Sequence, residues 1–362
     1  MRQLVLSGLI VLLTACSPAA PSSSAQPPVS SGPKSPIAGL IDMQTIAWHN
    51  QDDGQPDFTL DNVAHFPGLF GGVVINATWA QMQPAAGGAV DFSRVDAALG
   101  QVRSYNAAHA DAPLGVKLRI FAGNQAPSWA KQIDGGPVML RRNPQGCPSA
   151  PCPISVGKVW DASYITAWRA FQAAVAARYD AEPLIRAVSV TSCGMQTDEP
   201  FVPTVDTAAR ANLRQAGYTD DLEKSCLMGA IQDYSAWKLT PIDYTFNPFN
   251  LMAGGNDVSF PTSVMKACRD ALGGRCLLGN HALSPAMSAQ NAEVVKAIAS
   301  MGRPIYFQTD SPANMKDDWT GTLALAAQNG ATAVELWPDA KYKGFMTLTV
   351  GQVTALRDAL PK

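Results

Sequence analysis

Ala187-Val-Ser-Val-Thr-Ser-Cys193, running on to Asp198-Glu199, and Ala333-Val-Glu335-Leu-Trp337 decide how this chain is read. Each is a short apolar run, rich in β-branched residues, that stops at polar or acidic side chains. That is the pattern of a strand buried on both faces. Runs of the same kind lie at Leu40–Ile46, Gly72–Thr78, Gly115–Ala122, Ile242–Asn247, Arg275–Gly279 and Pro304–Gln308, and the Glu335 run extends back to Ala331. Between them the apolar spacing changes to the helical period: Val95, Leu99 and Val102 share one face, as do Trp168, Phe171, Val175 and Tyr179, and Val353, Leu356 and Leu360. Pro261-Thr-Ser263 opens a helix that Gly273-Gly274 ends, and Gln328-Asn-Gly330 stops another. Crossovers of this length imply parallel, right-handed units. Repeated eight times, the unit predicts a single-domain α/β fold, a (β/α)8 barrel over residues 38–362, of a size that needs no second domain. A doubly wound sheet for a nucleotide would need G-x-G-x-x-G after the first strand or a P-loop, and the sequence has neither. Two connections are long, from Ser128 to Trp160 and from Thr197 to Leu239, the second with room for two helices. Such loops shape a cleft.

The N-terminus reads as a targeting segment. Arg2 supplies the positive charge, Leu4 to Leu13 an apolar run too short to span a bilayer, and Leu13-Thr-Ala-Cys16 a processing site. This resembles the bacterial lipoprotein signal, which implies removal of residues 1–15, lipidation of Cys16, and export to a bacterial membrane, the outer one in a Gram-negative cell. The alternative is an ordinary secretory signal cut after Ala15. Residues 16–37 are Ser, Pro and Ala with almost no bulky apolar side chains, a composition that reads as a tether. Losing Arg2 takes the formal charge from −2 to −3, since 26 basic residues then face 29 acidic ones. With no basic run, nucleic acid and anionic lipid are not expected as partners and a neutral substrate is. Oligomeric state is not legible, and no cofactor motif is present.

Six cysteines remain after Cys16, an even number in an exported chain. Local spacing pairs Cys147 with Cys152 and Cys268 with Cys276, leaving Cys193 with Cys226. A zinc site is the rival, but C-x4-C without neighbouring histidines matches metal spacing poorly. No metal is expected.

Trp79-Ala-Gln-Met-Gln-Pro84, Gly87-Gly88 and Val90-Asp-Phe-Ser-Arg-Val-Asp96, then Leu118-Arg-Ile-Phe-Ala-Gly123 and Ala126-Pro-Ser-Trp129, resemble a segment of the retaining β-galactosidase and cellulase barrels, the large (β/α)8 glycoside hydrolase clan. The motifs cover residues 72 to 130, and the strand count extends the likeness loosely to the whole chain. The resemblance implies a general acid at the end of the fourth strand and a nucleophile at the end of the seventh. The fourth leads to Asp198-Glu199, so Glu199 is the implied acid and Asp198 its reserve, although the clan's Asn-Glu pair is absent. At the seventh the sequence departs from the clan: Gln308 stands where a nucleophilic glutamate is expected. The nearest acids are Asp310 and Glu335.

Glycosidic cleavage needs one carboxylic acid to protonate the leaving oxygen and a carboxylate opposite. Glu199 and Glu335, on strands that face each other across an eight-strand ring, are therefore the expected catalytic pair, with a wide, inverting separation favoured over a narrow, retaining one. Against this, Glu335 lies in an apolar run where it could pair with Arg119 or Lys341, and Glu199 could be a solvated surface acid. Trp79, Trp129 and Trp337, with Trp48 and Trp319, are expected to stack on sugar faces. Asn76, Arg119, Asn124, Asp198, Asn247, Asn280-His281, Gln308 and Asp310 supply hydroxyl-binding groups at strand ends, and His49 could orient a carboxylate. The other class of answer is a lipid-anchored carbohydrate-binding protein that does not cleave. It would be either a two-domain solute binder or a barrel that has lost its nucleophile.

Overall fold

The computed structural model describes residues 32–46, 55–142, 152–199, 207–340 and 343–361. The signal, Cys16, most of the tether, Trp48, His49, Lys341 and Cys147, with its expected bond to Cys152, lie outside the described residues.

Eight parallel strands form the closed ring that the sequence predicts: β1 (Gly39–Asp42), β2 (Phe70–Thr78), β3 (Gly115–Phe121), β4 (Ile185–Ser189), β5 (Ile242–Thr245), β6 (Cys276–Leu283), β7 (Ile305–Thr309) and β8 (Ala333–Leu336). Each strand pairs with its neighbours in sequence and β8 closes on β1, Ile41 opposite Glu335. An open doubly wound sheet, or the two sheets of a hinged binder, would leave edges that this ring does not have. Between the strands run α1 (Ser93–Ala108), α2 (Ala162–Tyr179), α3 (Thr207–Gln215), α4 (Asp220–Asp233), α5 (Ser259–Leu272), α6 (Ala289–Ser300), α7 (Trp319–Gln328) and α8 (Val350–Asp358). The long connection after β4 holds two helices, α3 and α4, as expected. The one after β3 holds a hairpin, Val138–Arg142 against Cys152–Val156, that short runs broken by Gly, Pro and Cys did not reveal.

Period-two alternation turns every second strand residue into the ring. The lower layer is apolar: Ile41, Val74, Ala187, Leu277, Tyr306 and Ala333 pack there with Ile37. Ile37 enters from below because Gly72 and Gly115 offer no side chain; a Cβ on either would stand 2.9 Å from Ile37 carbons. The segment before it is tied to the base of the ring. Lys34 Nζ donates to the carbonyls of Glu182 (2.7 Å) and Ile185 (2.9 Å) and to Thr240 Oγ1 (2.9 Å), and Tyr306 donates to Ile37 O (2.8 Å).

Two of the expected disulfides are present. Cys268–Cys276 clips the end of α5 to β6, and Cys193–Cys226 ties the loop after β4 to α4.

Candidate active site

Above the apolar layer the ring holds charges. Lys117 and Arg119 lie two apart on β3 and both face inward, fully buried. Lys117 Nζ contacts Asp243 of β5 and Glu335 of β8, and Arg119 spans Glu335 Oε2 and Asp198 Oδ2, each at 2.7 Å. Buried charge is tolerated only when paired, and here two cations meet three carboxylates. Burial would raise the Glu335 carboxyl, but Arg119 and Lys117 outweigh it and hold the group at about 2. Asp198 follows the same logic: Arg119, then His281 and Lys117, outweigh burial and leave it below the ordinary carboxylate range. Asp243 goes the other way, to about 6, because burial exceeds what Lys117 returns.

The expected role of Glu335 therefore meets a different environment. Both its oxygens are held by buried cations, and the residue is 2% exposed. It is a member of the floor network, not a carboxylate with an oxygen open to the cleft. The Arg119 partner foreseen as the alternative is present, and Lys117 is a second that the sequence reading missed. The strand pattern held the signal for it: period two puts Lys117 on the face of Arg119, and Asp243 likewise breaks an apolar strand.

Glu199 lies at the mouth, half-buried. Its Oε1 accepts from Asn247 Nδ2 at 2.7 Å, and Asn247 Oδ1 accepts from Asn280 Nδ2 at 2.7 Å, so the ends of β5 and β6 orient the acid. Burial, then the negative charge of Asp198, pushes the Glu199 carboxyl up to about 7; the Asn247 donor offsets part of this, and Asp310 adds to the rise. The loop that carries it is fixed by close backbone approach. Gly123, at φ 53°, lies under the carbonyls of Gly194 and Met195 where no Cβ fits. Asn124 N donates to Met195 O (2.9 Å), and the Cys193–Cys226 bond holds the loop from behind.

Asp310 follows β7, its N–H bonded to Leu283 O of β6. Alternation puts it on the same face as Gln308, one step nearer the mouth. Its Oδ1 accepts from Ser311 N (2.6 Å) and Asn314 Nδ2 (2.9 Å); Oδ2 accepts no hydrogen bond among the described residues, and burial raises the carboxyl. Gln308 lies beside Glu335 with a buried Oε1 that has no partner among the described residues. Asn76 donates to Met43 O (3.2 Å). His281 bonds Thr245 Oγ1 (3.0 Å) and lies 3.5 Å from Asp198; burial lowers it to about 4, so the ring is neutral at pH 7.

The tryptophans divide. Trp79 is not a sugar platform: it is 0% exposed, packed edge-on between Trp129, Tyr164 and Trp168 with centroids 5.1–5.6 Å apart, its N–H spent on Gln83. Trp319 is buried too. Trp129 and Trp337 are half-exposed, and Trp337 packs on a small apolar cluster of Met43, Ile46 and Phe121 at the mouth. Among the described residues no group of three or more His, Cys, Asp and Glu is arranged to hold a metal ion.

No protein-family model and no curated protein matches the sequence. Solved structures do match in fold, glycoside hydrolases among them. Endo-glycoceramidase II from Rhodococcus sp. superposes with a TM-score of 0.51 at 16% identity, over 85% of this chain and 75% of that one. The β-galactosidase from Bacillus circulans sp. alkalophilus gives 0.51 at 12% identity, over 89% and 55%. That from Rahnella sp. R3 gives 0.51 at 11%, over 90% and 57%, so the chain spans little more than half of the two galactosidases. The fold is that of these barrels, and at 11–16% identity the likeness is one of fold.

Proposed function

We propose that this protein hydrolyses a glycosidic bond in an oligo- or polysaccharide, with Glu199 as the general acid and Asp310 as the opposing carboxylate. One observation carries the reading: a half-buried carboxyl at the mouth of a glycosidase-type barrel, oriented by Asn247 and raised to about 7, so that it holds a proton near neutral pH. A donor matched to the working pH is what protonation of a leaving oxygen requires. Asp310 replaces Glu335 as the second carboxylate because it keeps one oxygen free, and because its charge reaches Glu199. Gln308, Asn76, Asn124, His281, Trp129 and Trp337 supply hydroxyl and stacking contacts, and Arg119 positions the charges beneath them. The Rhodococcus enzyme is recorded with a cellobiose-like imidazole and with an iminocyclitol, which supports a glycan as substrate class here. The N-terminal sequence supports export, lipidation at Cys16 and membrane anchoring.

The test is release of reducing ends from a polysaccharide panel. Wild type is expected to act on at least one member, and Glu199→Gln to lose about 10²–10⁴-fold in kcat on it. Activity unchanged in Glu199→Gln refutes the assignment. A second reading, sugar binding without cleavage, is favoured by Gln308 at the position of the clan's nucleophile. Calorimetric binding of a glycan with no turnover would establish it.

A further inference from the structure

Because all eight strands are parallel, the helices start at the mouth and end at the base, and their cap chemistry adds up instead of cancelling. N-terminal turns favour acids and C-terminal turns favour bases. Asp161 caps α2 and Asp318 caps α7, Asp220 and Asp221 open α4, and Asp257 accepts from the first N–H groups of α5. Arg178, Arg269 and Arg357 lie in last turns. The connections that lead from helices back to strands add Lys238, Arg275 and Arg303, and Arg186 lies at the start of β4. The chain has no basic run, but the fold collects one at the base.

Four of these arginines are not neutralised. Arg186 donates to Ser35 O, and Arg269 to the carbonyls of Cys276 (2.7 Å) and Gly302 (2.6 Å). Arg275 donates to Trp237 O (3.0 Å), and Arg303 Nε lies 3.5 Å from Thr332 Oγ1. These bonds use N–H groups but leave the charge, and none of the four forms an ion pair with a carboxylate among the described residues. Of the acids near them, Glu182 pairs with Arg103 at 2.6 Å and Asp358 with Arg357 at 2.8 Å, while Asp180 accepts from the N–H groups of Lys238, Leu239 and Thr240 and keeps its charge. The chain also enters the fold at this face, where Lys34 is pinned. The 18 Cα-to-Cα steps from Cys16 to Lys34 reach at most about 65 Å even when fully extended.

We propose that the base of the barrel docks on an anionic phospholipid surface, which holds the mouth away from the bilayer. The proposal rests on the lipid-anchor part of the reading above. Charge complementarity and the point where the anchored segment joins the fold select this partner.

The test uses mature full-length protein isolated from membranes, whose intact mass reports acylation separately. In vesicles of phosphatidylcholine with phosphatidylglycerol, hydrogen exchange is expected to slow at residues 180–186, 235–241 and 300–304 relative to pure phosphatidylcholine, with the mouth loops unaffected. The protection is expected to vanish in high salt. If the mass shows no acyl chain, vesicle co-sedimentation of the same protein replaces the exchange readout. Lys238→Gln and Arg303→Gln, both at exposed positions, are each expected to weaken phosphatidylglycerol-dependent binding about fivefold. Equal exchange in both vesicle types, protection at the mouth instead, or binding to soluble polyphosphate but not to vesicles overturns the proposal.

Discussion

Glu335→Gln separates a floor residue from a catalytic one, and the structure fixes the size of the effect. The Glu335 carboxyl lies at about 2, against 4.5 for an unperturbed glutamate. A depressed value means that folding favours the charged form, so the contribution is complete above pH 4.5 and disappears as pH falls through about 2. Linkage makes it about 3 kcal/mol at neutral pH. Breaking a buried ion pair independently gives about 3–5 kcal/mol, and the low end applies because Lys117 keeps Asp243 and Arg119 keeps Asp198. In urea unfolding the midpoint of Glu335→Gln is expected to fall by about 1 M, with activity following the folded fraction. Asp310→Asn, measured in parallel, is expected to keep the wild-type midpoint and lose about 10³-fold in turnover. A Glu335→Ala variant that unfolds like wild type, is inactive, and recovers turnover in azide with a glycosyl azide of inverted anomeric configuration as product would refute this. That result would make Glu335 the nucleophile.

Three further outcomes follow from the site. Turnover is expected to decline as pH rises through about 7, where Glu199 loses its proton; Asn247→Ala removes a donor to the charged form and is expected to move that limb upward in a kcat profile. Gly123→Ala forces a Cβ against the Gly194 and Met195 carbonyls, so kcat is expected to drop sharply, with a crystal structure showing the loop at 194–199 displaced. Cys193→Ser with Cys226→Ser opens the 33-residue separation closed by that bond and is expected to cost about 3–4 kcal/mol in denaturant unfolding.

The eight strands were legible because burial on both faces leaves near-continuous apolar runs that survive any divergence of the loops. Cys193–Cys226 and Cys268–Cys276 were legible from parity and position. The proposed carboxylate pair was only half legible. Glu199 stands out as the acid beyond β4, but whether Glu335 has a free oxygen depends on Lys117, on a strand distant in sequence. Trp79 was misread for a related reason. Its place after β2 suggests the mouth, but its side chain packs outward among Tyr164 and Trp168 of α2, which no local pattern predicts. The hairpin and the basic face are likewise products of distant segments meeting.

The plug at the base has a consequence for how the chain becomes a protein. Ile37 is synthesised early, but its carbonyl is held by Tyr306, 269 positions later, and Lys34 is held by residues up to 206 positions away. Loop closure over such separations is slow relative to local structure. The base is therefore completed late by the end made first, and a chain interrupted before β7 lacks the Tyr306 hydroxyl that holds the Ile37 carbonyl.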